Sequence, residues 1–250
     1  MSDMIWIGTS GWVYPHWVGH FYPPELPARD HLAFYAQRFS TVEINRSFYR
    51  LPTRDQFRSW TEQTAARPGF LFAVKASRYI SHLKKLRGVD EALDRFIDAA
   101  AGLGERLGPC LYQLPPHWRA DPLRLEQFVA RLPRQYRAAF EFRDPSWYRP
   151  EIARILADAG CALVIAVGGS LSSPPDAPQV GPFGYVRFHH GAHGIGFSRT
   201  ELAQWAQRLA GYAGEGRDAY AYFNNDPDGH AVADACTLRE LLGPAAVQPS

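Results

Sequence analysis

Short apolar runs alternate along this chain with stretches in which hydrophobic residues recur every three or four positions. The runs fall at residues 5–8, 42–44, 70–74, 110–112, 138–142, 162–167, 184–188 and 219–223, each of strand length. Between them, the helical spacing is carried by Leu32, Tyr35, Ala36 and Phe39, by Phe57 and Trp60, and by Leu93, Phe96, Ile97 and Ala100. It continues through Leu125, Phe128, Val129 and Leu132, through Ile152, Ile155 and Leu156, and through Leu202, Trp205, Ala206 and Leu209. A last helical pattern, from Val232 to Leu242, follows the eighth run. Thr53 with Gln56 and Ser198 with Glu201 match capping boxes, and Pro122 after Asp121 marks a helix start.

Strand-helix alternation predicts a parallel sheet, and eight such strands in 250 residues predict an α/β fold, a closed (β/α)8 TIM barrel. No linker or internal repeat interrupts the pattern, so residues 1–250 are expected to form one domain. The sixth connection, residues 168–182, is rich in Pro, Gly and Ser and has no helical period. It is either a mobile lid or a locally irregular loop.

Most of the apolar runs share a second feature: they close on polar residues, as in "TVEIN", "FAVKAS", "LYQLPP", "AFEFRD", "YVRFHH" and "YAYFNND". In a parallel barrel every strand's carboxyl end points to one mouth, so Glu43, Lys75, Gln113, Glu141, Arg187, His189, Asn224 and Asn225 are expected to converge there. Convergence would also supply the cationic partners that buried carboxylates need.

Composition narrows the class. The chain is 46% hydrophobic and 21% charged, which suits a packed core and not disorder. No apolar run approaches the ~20 residues that span a bilayer, and the start lacks a secretory pattern, so a cytoplasmic location is expected. Cys110, Cys161 and Cys236 are far apart and sit in apolar stretches, as structural thiols do. A formal net charge of +2 is too small to declare a nucleic-acid partner by itself.

Glu43 and Glu141 are the candidates for general acid and base, because an enclosed mouth separates the pKa values of two carboxyl groups. Lys75 either neutralises a carboxylate, polarises an oxyanion or forms a Schiff base; a plain ion pair with Glu43 is the alternative. Arg46, Arg78, Arg143 and Arg187 lie at or just past strand ends, where guanidinium forks suit carboxylate or phosphate. Trp12, Phe48, Tyr49 and Trp147 are placed near the same mouth, so an anionic, ring-bearing ligand is expected: a nucleotide, single-stranded nucleic acid or another flat phosphorylated compound. Alternation sends His189 and His190 to opposite faces, no metal-ligand spacing is present, and no metal or cofactor is assigned.

The ordered motifs "IGTSGW", "VEIN" with "FYRLP", "FAVKA", "QLPP", "EFRDPSW", "YVRFHHG" and "YAYFNND" cover nearly the whole chain, and together the sequence resembles the YecE-like family, a domain of unknown function. The resemblance implies a TIM barrel related in shape to metal-dependent barrel enzymes of the endonuclease IV and xylose isomerase group, without a reaction to transfer. The positions matching the family are Thr9, Gly11, Trp12, Tyr14, Glu43, Asn45, Phe48, Tyr49, Lys75, Gln113, Glu141, Arg143, Trp147, Arg187, Asn224 and Asn225. Two positions depart from it: Ala166-Val167-Gly168 stands where an acidic residue is expected after the sixth strand, and "FHHG" replaces "LHG". Three functions follow as expectations: an enzyme acting on an anionic ring-bearing ligand, as a hydrolase or lyase; a glycosidase-like hydrolase using Glu43 and Glu141; or a binding barrel without turnover. No membrane association is expected, and the sequence identifies no protein partner.

Overall fold

The computed structural model describes residues 4–170 and 172–248. Eight parallel strands form one sheet: β1 (Ile5–Thr9), β2 (Thr41–Ile44), β3 (Leu71–Lys75), β4 (Leu107–Gln113), β5 (Ala138–Glu141), β6 (Ala162–Val167), β7 (Gly184–Phe188) and β8 (Ala219–Phe223). Their order is β1-β8-β7-β6-β5-β4-β3-β2, so the first two strands are the ends that must meet for the sheet to close. They meet at the top, where Ser10 bridges to Glu43 and the Gly11 N–H donates to the Glu43 carbonyl at 2.8 Å. The result is a nearly closed α/β barrel of the TIM type, as the alternation predicts.

Lower on the same seam a side chain replaces the missing ladder. The Tyr35 hydroxyl accepts from the Thr9 N–H at 2.9 Å and donates to the Thr41 carbonyl at 3.1 Å, satisfying two backbone groups that a closed sheet would have paired. Gly8 makes the approach possible, since a Cβ there would lie 2.1 Å from the Thr41 oxygen.

Seven helices pack around the strands: α1 (His31–Ala36), α2 (Arg54–Gln63), α3 (Asp90–Ala100), α4 (Pro122–Val129), α5 (Pro150–Asp158), α6 (Arg199–Gly214) and α7 (His230–Leu242). Ser198 and Glu201 form the reciprocal box at the start of α6, Thr53 caps α2, and Asp121 caps α4 with Pro122 in its first turn. No helix among the described residues is long and apolar enough to cross a membrane.

The sixth connection holds no helix among its described residues; Leu171 lies outside them. It is an irregular segment tied to the barrel: Ser173 accepts from the Ala166 N–H and its own N–H donates to the Ala166 carbonyl, both at 2.9 Å. Gly168, at φ +80°, starts it where a Cβ would fall 1.8 Å from the His190 carbonyl oxygen, so only glycine fits.

Alternation divides the strand residues between two cores. Aliphatic and aromatic side chains pointing outward meet the helices, while Ala73, Leu111, Ala139, Val164, Tyr185 and Tyr222 belong to a separate inner cluster. One step further along each strand on the inner face, the apolar filling stops and a polar layer begins.

Candidate functional site

That layer is built around one cation. Arg187, fully buried at the end of β7, donates from Nη2 and Nε to the two Glu43 oxygens at 2.8 and 3.1 Å, and from Nη1 to Glu141 Oε2 at 2.7 Å. Glu43 and Glu141 are fully buried as well. Glu43 takes two further bonds, from Ser10 Oγ at 2.5 Å and Tyr185 Oη at 2.6 Å. Glu141 Oε1 accepts from Gln113 Nε2 at 2.9 Å and Arg143 Nε at 3.0 Å. A carboxylate has about four acceptor sites, so Glu43 is saturated and Glu141 nearly so.

The electrostatics follow from that wiring. Burial pushes both carboxyl groups up, but the Arg187 guanidinium and the hydrogen bonds to it and its neighbours outweigh burial and hold both below the ordinary carboxylate range. Arg187 is disfavoured by burial and more than compensated by the two carboxylates, so its charge is permanent.

Lys75 stands apart from this exchange. It ends β3 with only 7% of its surface exposed, and among the described residues its amine enters no ion pair and no side-chain hydrogen bond. Its Nζ lies 4.3 Å from the centre of the Phe48 ring. Burial first, then the positive charge of Arg187, pulls its pKa from 10.5 to about 7. The expected alternative of a Lys75–Glu43 ion pair is therefore not what the barrel builds: Arg187 takes that place. His82 packs on the same Phe48 ring at 4.9 Å and is held neutral, its pKa lowered to about 4 by burial and by the charge of Lys75.

The remaining expected residues divide by location. His189 lies beside Glu141, its Nε2 at 3.6 Å from Oε1, and its Nδ1 faces Asn224 Nδ2 at 3.2 Å. Asn224 in turn meets Asn45 at 3.4 Å, so His189, Asn224 and Asn45 form a chain across the mouth. His189 Nε2 and Asn45 Oδ1 are buried without a hydrogen-bond partner. Asn45 also lines a neighbouring cavity of ≈ 450 Å³ with Trp12, Tyr14, Arg46, Trp60 and Gln63. Gly11 belongs to the same wall and turns with φ +98°. Tyr49 is 73% exposed on the rim.

Three expected ligand contacts are instead used up by the fold. Thr9 is buried against Tyr35 and the Gly11 carbonyl. Trp147 stacks on Phe142 at 4.8 Å inside the outer core and donates to the Trp118 carbonyl. Asn225 spends its Nδ2 on Asp234 at 2.7 Å and the Ile195 carbonyl at 3.0 Å, fastening the eighth connection to α7, and its Oδ1 is buried without a partner among the described residues. In the other direction, Ser10, Tyr185 and His82 belong to the site and are absent from the expected set. Tyr185 was legible by alternation, two residues before Arg187 on one strand face. His82 had no comparable signal, because it is delivered by a single π-helical turn, Tyr79–Leu83. Among the described residues, no group of three or more His, Cys, Asp or Glu side chains is arranged to hold a metal ion.

Known proteins are similar to this chain. UPF0759 protein YecE of Escherichia coli (strain K12) is 32% identical over 146 residues, 58% of this chain, and the match spans about half the length of that relative. UPF0759 protein YunF of Bacillus subtilis (strain 168) is 24% identical, covering 96% of this chain and 95% of its own. The crystal structure of a DUF72 family protein from Thermotoga maritima MSB8 superposes with a TM-score of 0.82 at 26% identity, covering 96% of this chain and 99% of that one. With residues 6–250 matching its family model, the chain belongs to the family described as protein of unknown function DUF72.

Proposed function

We propose that the chain is an enzyme that binds an anionic, ring-bearing small molecule, nucleotide-like in chemistry, at the carboxyl mouth of the barrel, with Lys75 as the group that moves a proton. The observation that carries this reading is the division of labour in the polar layer. Both carboxylates are committed to Arg187, whereas Lys75 is buried, unpaired among the described residues and poised near neutral pH. The acid-base role expected of Glu43 and Glu141 passes to the lysine. The carboxylates and Arg187 then act as a fixed charged floor.

Anion binding is supported by Arg143, which spends only Nε on Glu141 and has a side chain 23% exposed. Ring binding is supported by the cavity beside the mouth, whose described lining pairs Trp12 and Trp60 with Arg29 and Arg46 and contains no carboxylate. A glycosidase-like reaction fits less well, because it needs open space for sugar and water between two carboxyl groups, and here a guanidinium joins them. A cytoplasmic setting belongs to the proposal and agrees with three free cysteines.

The test is binding and turnover with adenosine monophosphate and related phosphorylated ring compounds. Arg143→Met should weaken binding about tenfold, and Lys75→Met should abolish turnover while leaving binding in place. Unchanged turnover in Lys75→Met, or binding of neutral sugars in preference to anions, overturns the reading.

A further inference from the structure

We propose that Lys75 is a nucleophile that forms an imine, and that the molecule bound at the mouth is an anionic aldehyde or ketone. The inference rests on the reading of the mouth as an anion site and adds the functional group that reacts.

The first observation is compositional. Of the 27 lysine and arginine residues, only Lys75, Lys84 and Lys85 are lysines. Lys84 and Lys85 are exposed, immediately after the π-helical turn. Wherever else this chain needs a cation at a partly or fully buried position it uses arginine, as at Arg106, Arg137, Arg143 and Arg187. At the end of β3 it uses the one basic side chain with a primary amine, which can lose its proton and condense with a carbonyl. Arginine keeps its charge under all conditions and is no nucleophile.

The second observation is the company Lys75 keeps. A structural lysine in this position would hold a carboxylate, but Glu43 and Glu141 are taken by Arg187. Contact with the Phe48 ring favours an ammonium, yet burial and the guanidiniums of Arg187 and Arg143 act against it. Desolvation next to other cations is the arrangement that prepares a lysine for attack on a carbonyl.

The step balances without an oxidant or reductant. The amine lone pair forms a C–N bond with the carbonyl carbon, and the carbonyl π pair moves to oxygen. One proton passes from nitrogen to that oxygen and a second comes from solvent. The oxygen leaves as water while the nitrogen lone pair makes the C=N bond, leaving a protonated imine. Glu43 and Glu141 need no free lone pair to help, because their field favours positive charge at Lys75. The protonated imine draws electrons from an adjacent C–H or C–C bond, so the reaction class is proton abstraction or carbon–carbon cleavage next to a carbonyl, a lyase chemistry.

The scarcity of lysine makes the test clean. In a Lys84→Arg, Lys85→Arg chain, Lys75 is the only lysine side chain. That protein is incubated with anionic carbonyl compounds, from glyoxylate to pyridoxal 5′-phosphate, reduced with borohydride, digested and weighed by mass spectrometry. The expected result is a reduced adduct on the Lys75 peptide, formed at concentrations at least about tenfold below those that label the N-terminal amine. It should disappear in Lys75→Arg and in Lys75→Met, either of which serves if the other does not fold. Labelling confined to the N-terminal amine across the series overturns the inference. If adenosine monophosphate still binds in that case and turnover still requires Lys75, imine formation falls while the proposed function stands. If no anion binds at all, both fall.

Discussion

Replacing Arg187 with Met removes the one cation among the described residues that contacts both Glu43 and Glu141, while keeping a long apolar stem in the barrel. Four hydrogen bonds go with it, three of them to carboxylate oxygens at 2.7 to 3.1 Å. Glu43 then keeps only the neutral donors Ser10 and Tyr185, whereas Glu141 retains Arg143. An unpaired buried carboxylate escapes by taking up a proton, which limits its cost. For a carboxyl with an ordinary value of 4.5, protonation at pH 7 costs about 3.4 kcal/mol, at about 1.36 kcal/mol per pH unit. Losing one partner of a buried pair typically costs about 3–5 kcal/mol, in agreement with that ceiling plus a smaller share from Glu141. Against a total stability of about 5–15 kcal/mol the variant should be folded but fragile. At pH 5 the same protonation costs about 0.7 kcal/mol, so most of the deficit should vanish there. Urea unfolding followed by tryptophan fluorescence, at both pH values, reads this directly. Adding Glu43→Gln to Arg187→Met should recover much of the loss at pH 7. A deficit below about 1 kcal/mol, an equal deficit at both pH values, or no rescue by Glu43→Gln would refute the view that Arg187 organises this layer.

Further outcomes follow from the same structure. Tyr35→Phe strands the Thr9 N–H and the Thr41 carbonyl at the β1–β2 seam and should cost about 1–3 kcal/mol in chemical unfolding; a neutral result would mean the seam is closed by other means. Gly8→Ala, whose Cβ would lie 2.1 Å from the Thr41 oxygen, should lower the melting temperature sharply, while Gly211→Ala within α6, where nothing lies within 4 Å, should not. Between pH 7 and 10.5 the unfolded chain holds a proton on Lys75 that the folded chain has lost, so the contribution of Lys75 to stability falls as the pH drops through that window. Lys75→Met should therefore be more stable than the parent at pH 7, by about 1–3 kcal/mol in urea, and any activity that needs the free amine should rise with pH around 7 in the parent.

The barrel was legible because its two periods are. Among the described residues, the eight strands and seven helices sit where the apolar runs and the three-four spacing place them, and the one connection without a helical period holds no helix. Convergence of Glu43, Lys75, Gln113, Glu141 and Arg187 was legible for a similar reason, since each is a strand-end residue on the inner face. Pairing within the layer was not. The sequence sets Lys75 against Glu43 and Arg187 against a ligand anion, and only the barrel's registration, with Arg187 reaching across to both carboxylates, shows Arg187 as the partner. Trp147 and Asn225 misled because residues after a strand look alike whether they face the mouth or fold back. Trp147 turns into the outer core at a short helical turn, and Asn225 is held by Asp234, a residue nine positions on.

The charge of the layer completes the argument for Lys75. Arg187 and Arg143 balance Glu43 and Glu141, and His82 and His189 are held toward their neutral forms, His189 by burial first. With Lys75 uncharged the set is electroneutral, and an arriving anion meets no net attraction from it. With Lys75 protonated the set attracts the anion, but the anion then stabilises the ammonium and removes the nucleophile. An imine resolves this conflict, because the iminium is cationic once formed and keeps its charge beside the bound anion without holding the lysine in its unreactive state. A ligand that is anionic but lacks a carbonyl should therefore raise the pKa of Lys75 and slow imine formation, whereas an anionic carbonyl compound should form the adduct. Titrating the rate of borohydride-trapped adduct formation with pH, with and without inorganic phosphate, separates the two. Phosphate should shift the rising limb to higher pH, and a limb that does not move would mean that no anion sits within reach of the lysine.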